Sequence, residues 1–324
     1  RMADALPPQR GNRSLEIEER LRDILVDLGL QEVITHRLTS PEKEARRLSP
    51  DTPADEMPYF TLANPISPER AVMRHSLLSS VLSIVEHNTR IRERIALFEI
   101  NPVFLFSEEG VLPDEKQHLV IVLSGPRALV DWQGADTNAM DFFDLKGIVE
   151  SVLGGVHITD VRFEPGVHPS FHPGKAARVF AGQKQIGVMG ELHPQVVGNF
   201  DLPETPILAA EFNLEDIIES VPALFKVTSI PTQPPILEDI ALIVDEHVPA
   251  AEVESMIRQT GGETVTDVRL FDVYRGNQIG AGKKSLAYNL TYQNPERTLT
   301  DKDAAKLRNK IVKRLARELG TQLR

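Results

Sequence analysis

The last hundred residues carry an order of periodicities that few folds can accept. "DIALIVD" (Asp239 to Asp245) is a β-branched apolar run that reads as a buried strand. Pro249 opens a helix with Val253 and Ile257 on one face, and Gly261-Gly262 stop it. A second strand is predicted over Thr264 to Tyr274. A third spans Ser285 to Gln293, with Leu286, Tyr288, Leu290 and Tyr292 on one side. Thr300 caps a final helix with Asp301 and Asp303 in its first turn and an apolar stripe of Leu307, Ile311, Leu315 and Leu319. "TQLR" can add a short last strand. The order β-α-β-β-α-β is the split βαβ, ferredoxin-like pattern, whose open sheet face RNA-binding modules often use.

The hairpin in this segment holds three glycines, Gly276, Gly280 and Gly282, and two lysines. A phosphate-cradling loop needs a strand before it and a helix after it. Here a strand follows, so the glycines read as turn formers supplying positive φ in a wide hairpin. Asp272, Tyr274 and Ser285 at the base of the hairpin are of the types that stack on a nucleobase and bond its edges, or else they are ordinary strand residues. Arg275, Lys283 and Lys284 then serve as phosphate contacts or as solvated cations.

Composition narrows the class. The chain has 324 residues, 41% hydrophobic and 26% charged, enough for two or three globular domains. No apolar run approaches 18 residues, so no membrane span is expected, and the charged first thirty residues lack a signal-peptide core. The absence of cysteine excludes disulfides and thiolate zinc sites and fits a reducing, cytoplasmic location. Arg1 precedes Met2, as in a segment cut from a longer chain or in a chain with residues added ahead of its own. The net charge of −11 argues against a protein that coats nucleic acid all over. The charge is uneven: residues 226–324 carry +2 and the rest −13, and the stretch from Lys302 to Arg324 alone carries +6. That last helix is either an anion-binding edge or a solvated basic face. "VPALFKVTSIPTQPP", with four prolines, marks a linker. The predicted domains are therefore 1–220, a linker over 221–235, and 236–324.

"FDVYRG…GKKSLAYNLTYQNPERTLTDKD", together with the closing "ELGTQLR", resembles the ferredoxin-fold anticodon-binding domain that ends the β subunits of bacterial phenylalanyl-tRNA synthetases. The resemblance spans about residues 226–324. It implies that Asp272, Tyr274 and Ser285 read an anticodon base. One position departs from the family: "PPILEDIAL" has Glu238 where an arginine usually precedes the aspartate. That substitution weakens any expectation that this edge meets phosphate.

The first 220 residues resemble the catalytic-like module of the same subunit. "LEIEERLRDILVDLGLQEVITHRL" is similar to motif 1 of class II synthetases, a helix and strand that build a subunit interface. This assigns Leu21, Ile24, Leu25 and Leu28 to contact with a partner; His36 replaces the usual terminal proline. An amphipathic helix is expected from about Ser76, a motif 2-like strand in "RIALFEINPVF", a strand-to-helix step in "FFDLKGIVESVL", and further strands and turns after Phe171. The overall expectation is an α+β chain: a class II synthetase-like antiparallel sheet with flanking helices, followed by the ferredoxin-like domain.

Adenylation of a carboxylate gathers negative charge at a phosphate, so it needs fixed cations. Leu105 and Ser107 stand where motif 2 would place its arginine and glutamate, and no motif 3 follows. The module therefore reads as inactive. By resemblance, an α subunit carries the active site in an α2β2 enzyme, ATP and Mg2+ serve that holoenzyme, and tRNA(Phe) is the nucleic-acid partner. Editing and magnesium sites of such a subunit would lie upstream of Arg1. The rival reading is a free-standing hydrolase or ligase built on His168, His172 and His193. His168 and His172 are four apart, but Pro169 and Pro173 break any helix that would align them on a metal.

Overall fold

The computed structural model describes residues 11–50, 57–107, 112–225, 227 and 230–324, which fall into two units, 1–225 and 226–324. The first unit runs α1 (Arg13–Asp27), β1 (Gln31–Glu32), β2 (Leu38–Thr39), α2 (Pro41–Ala45), β3 (Val72–Met73), α3 (Leu78–Asn88), β4 (Ile95–Leu105) and β5 (Asp114–Ser124). It continues with α4 (Phe142–Gly155), β6 (Val161–Pro165), β7 (Phe171–Ala181), β8 (Lys184–Leu192), α5 (Pro194–Asn199), β9 (Ile207–Asn213) and α6 (Leu214–Ser220).

Seven strands form one sheet in the order β1-β4-β5-β9-β8-β7-β6. Its central strands are buried on both sides, which explains their near-continuous apolar sequence. One core joins Phe98, Ile121 and Ala210 to Leu145 and Val149 of α4 and to Ile17, Leu21, Ile24 and Leu25 of α1. The other joins Leu97, Val122 and Ala209 to Val81, Leu82 and Val85 of α3 and to Val196 of α5.

Three expectations change here. The sheet is not antiparallel throughout, because β1 pairs with β4 in parallel. The strand expected through "QEVITHRL" is cut short because the amide and hydroxyl of Thr35 turn to the Glu99 carboxylate, at 3.0 and 2.8 Å. "FFDLKGIVESVL" holds no strand: Asp141 and Asp144 form a reciprocal capping box, so the segment is helical from Phe142.

The assignment of Leu21, Ile24 and Leu25 to a subunit interface is also corrected. They are at most 9% exposed and lie in the first core, against the sheet and α4. The 3.6-residue period shows which side of a helix is apolar, not whether its own chain or a partner covers it. Of the four, only Leu28, at 36%, reaches solvent; Leu15 and Val26 are the exposed apolar residues on the outer side of α1.

The second unit contains β10 (Ile236–Asp245), α7 (Ala250–Gly261), β11 (Val265–Tyr274), β12 (Lys283–Tyr292), α8 (Asp301–Leu319) and β13 (Gln322–Leu323). The antiparallel order β11-β12-β10-β13 is that of a ferredoxin-like sheet. Both helices cover one face, where Ile240, Leu242, Leu286, Tyr288 and Tyr292 meet Val253, Ile257, Ile311 and Leu315. Thr300 and Asp303 cap α8 reciprocally. Gln233, within the expected linker, is tied to this unit by Gln293 and Thr298 at 2.6 Å each.

Candidate nucleic-acid interface

Within the second unit, no described element covers the sheet face opposite the helices. What stands on it is decided by a bulge. Along β11, Val268 pairs with Leu290 and Leu270 with Tyr288, both toward the helices. Strict alternation would send Asp272 and Tyr274 the same way. The register slips between Leu270 and Asp272, so Asp272 comes opposite Ala287 and Tyr274 opposite Ser285. An extra residue in one strand re-aims everything after it. Asp272, Tyr274 and Ser285 thus share the open face with Ile243 and Asn289.

Tyr274 is half-buried there. Its ring lies under the Arg324 guanidinium, 5.1 Å from the ring centroid, and the amide of Arg324 donates to the Ala241 carbonyl at 2.9 Å. Gly276 is extended, with φ −175°, and any Cβ on it would collide with the Tyr274 phenol. It therefore serves close approach, whereas Gly280 (φ 91°) and Gly282 (φ 73°) supply the left-handed turns expected of the loop. Asp272 is exposed, and Ser285 is only 3% exposed between its strand neighbours.

The three expected cations divide. Arg275 forms a two-point ion pair with Glu246, at 3.0 and 2.9 Å, and holds that carboxyl below its ordinary range. Lys284 is corrected: it is 9% exposed, has the parity of the helix-facing residues of β12, and donates to the Glu246 carbonyl at 2.8 Å. It clamps the loop and cannot reach a ligand on the open face. Lys283 has open-face parity, opposite Asp245, and is half-buried. Glu238 likewise has helix-side parity, where Arg308 of α8 meets it at 2.6 Å. Its departure from the family pattern bears on helix packing and not on the open face.

In the first unit, sequence reasoning missed two carboxylates set into the sheet, one buried and one partly buried. Glu99 on β4 and Glu211 on β9 both sit opposite Val120 of β5, on the side of the sheet that α3 covers. Glu99 and Arg74 are both fully buried, 3.5 Å apart. Arg74 also donates to Thr35 Oγ1 at 2.6 Å and to the carbonyls of Pro102 and His36 at 3.0 and 3.4 Å. Glu211 accepts from Ser76 Oγ at 3.0 Å and the Leu77 amide at 3.3 Å, and His118 Nδ1 lies at 3.3 Å. Burial would raise its carboxyl, but the His118 hydrogen bond and neighbouring positive charge outweigh that and hold it near a pKa of about 2. Polar residues inside apolar runs, such as Arg74 in "AVMRHSLL", were the available signal. Leu105, at the end of β4, packs against the second core.

The histidines are used locally. Nδ1 of His168, His172 and His193 each accepts from the backbone amide two residues on, at 3.3, 3.1 and 3.2 Å. Burial pushes His168 down to about 4, so it is neutral at pH 7. No cluster of three possible metal ligands occurs among the described residues. The hydrolase reading gains no support.

By its fold the second unit falls in the class of ferredoxin-fold anticodon binding domains, whose family model residues 231–324 match. Residues 2–214 match the phenylalanyl tRNA synthetase beta chain CLM domain. The chain belongs to the phenylalanyl-tRNA synthetase β-chain family. The phenylalanine–tRNA ligase beta subunit of Symbiobacterium thermophilum is 37% identical over 98% of this chain and 36% of its own length. That of Geobacillus kaustophilus is 38% identical over 94% of this chain and 37% of its own. The chain thus spans little more than a third of these relatives. Among solved structures, pyrrolysyl-tRNA synthetase from Desulfitobacterium hafniense aligns with a TM-score of 0.49 at 17% identity, over 65% of this chain and 74% of that one.

Proposed function

We propose that this chain acts as the non-catalytic C-terminal part of a phenylalanine–tRNA ligase β subunit, which supports a catalytic α subunit and binds tRNA(Phe) through its second unit. The observation that carries the reading is the bulge that brings Asp272 and Tyr274 out beside Ser285 on the uncovered sheet face. The Tyr274 ring offers a stacking surface once Arg324 shifts from it, or Arg324 stays and extends the stack. The Asp272 carboxylate can accept two donors from a guanine edge. The domain boundary is the proline-rich stretch between the two family matches, the oligomer is α2β2, and the working compartment is the cytoplasm. ATP and Mg2+ belong to the α subunit's site.

The first unit holds architecture rather than chemistry. Its buried guanidinium, Arg74, is committed to Glu99, and Leu105 offers no charge at the position an adenylating site needs. The isolated chain should therefore show no amino-acid-dependent pyrophosphate exchange. Exchange above background, abolished by substitutions within 1–220, would overturn this.

The test of tRNA reading is aminoacylation by the enzyme assembled with its α subunit, using anticodon-substituted tRNAs. Tyr274→Ala should cost about 1–3 kcal/mol of tRNA binding, the usual worth of one stacked base. Asp272→Asn should relax preference at one anticodon position, because an amide accepts poorly from two guanine donors. If both variants keep the parental preference, the open face is not the reading surface.

A further inference from the structure

The outer side of α8 carries cations in a line. Lys302, Lys306, Lys310, Lys313 and Arg317 are spaced by four, four, three and four residues, which confines them to an arc of about 80° on a helix. They extend for about 22 Å at about 6 Å intervals, from the rise per residue. All five are exposed. The line lies opposite the side that buries Ala304, Ile311 and Leu315. The helix has three acidic residues, and each falls outside the arc: Asp301, Asp303, which pairs with Arg297, and Glu318, which pairs with Arg314 and Arg317. Three other arginines of this unit are engaged internally: Arg258 with Glu254, Arg275 with Glu246 and Arg308 with Glu238. No carboxylate among the described residues pairs with the four lysines. Four like charges on one helix face repel one another at i,i+4 spacing, a cost that an external anion would relieve.

We infer that this ridge is a second RNA surface, which takes the phosphodiester backbone while the opposite face of the domain reads bases. The inference rests on the tRNA-binding reading above. Charge complementarity selects the occupant: a straight row of ammonium groups fits a run of phosphates, and lysine meets phosphate as a point charge without demanding one orientation. The sheet and helix layers put the ridge on the order of 15 Å from Tyr274. A single extended base-reading contact does not cover both; the RNA engages the ridge with a separate stretch of backbone. The ridge supplies affinity without sequence preference, and the open face supplies preference.

The test uses the full chain with a tRNA(Phe) transcript and its anticodon-substituted versions, titrated between 50 and 200 mM salt. The variant is Lys302→Gln, Lys306→Gln, Lys310→Gln, Lys313→Gln and Arg317→Gln together; glutamine keeps helix propensity, and circular dichroism checks the fold. Two or three engaged phosphates predict a salt slope smaller by about 2, at 0.7–0.9 per contact. Affinity at 50 mM should fall about tenfold or more, equally for all transcripts. A matched loss of five charges in the first unit, Lys116→Gln, Lys146→Gln, Arg162→Gln, Lys175→Gln and Lys184→Gln together, should leave the slope unchanged. If the five-fold variant keeps the parental slope while the parent still prefers the cognate anticodon, the ridge is not an RNA surface and the base-reading proposal stands. If the slope falls but the parent shows no anticodon preference, the ridge stands and the base-reading proposal fails. Equal slope losses in both variants, or ridge-dependent binding only to phosphatidylserine vesicles, would overturn the assignment.

Discussion

Arg74→Leu should destabilise the first unit by about 3–5 kcal/mol, read as a lower denaturant midpoint. The size follows from leaving Glu99 charged and buried without its cation, which costs more than the ion pair itself contributes. Both side chains are 0% exposed, so water cannot take over. Glu99 would keep the Thr35 hydroxyl and the Asn101 amide, at 2.8 Å each, which sets the cost inside that range and not above it. Arg74→Leu with Glu99→Leu should recover more than half of the loss, because two apolar side chains replace two desolvated charges. A double variant as unstable as the single one would mean that Arg74 acts through its bonds to the Pro102 and His36 carbonyls, which tie β4 to the segment before β2.

Glu211→Gln should cost about 3 kcal/mol at pH 7, and its effect should fade in acid. The carboxyl titrates near 2 in the folded chain against an ordinary value near 4.5. A depressed carboxyl stabilises the fold above its unfolded pKa, and that contribution is lost as pH falls through the folded one; the gap between the two values corresponds to about 3 kcal/mol. The difference between parent and variant should therefore be full above about pH 5, about 1 kcal/mol near pH 3, and largely gone by about pH 2. A pH-independent difference in urea midpoint would show that Glu211 matters through shape and not through charge. The measurement also bears on architecture, because Ser76 and Leu77 bond Glu211 just ahead of α3 and so fix that helix to β9.

The elements of the second unit were legible because each local signal agreed with the fold. Pro249, Thr300 with Asp303, and the alternation through Tyr292 mark boundaries by chemistry that acts within a few residues. In the first unit β4 was legible for the opposite reason, because apolar side chains on both faces mark a buried strand; β5 and β9 have the same character but were not singled out. In "FFDLKGIVESVL" the capping signal went unread: Asp141 and Asp144 form a box that favours helix from Phe142, where a strand-to-helix step was expected.

The sequence by itself determined the order of elements in the second unit and the types of side chain near the hairpin, because propensity, capping and periodicity are local. It also determined that five cations share one side of α8, since helix geometry alone fixes that arc. Only the tertiary structure decided what covers each face. Leu21, Ile24 and Leu25 face their own sheet because α4 and the sheet close over α1, and no periodicity distinguishes that from a partner. Lys284 turns inward because Glu246 presents a carbonyl to it. Asp272 and Tyr274 reach the open face only because the ladder slips after Leu270, and a one-residue slip reverses every later side chain while leaving the sequence pattern unchanged.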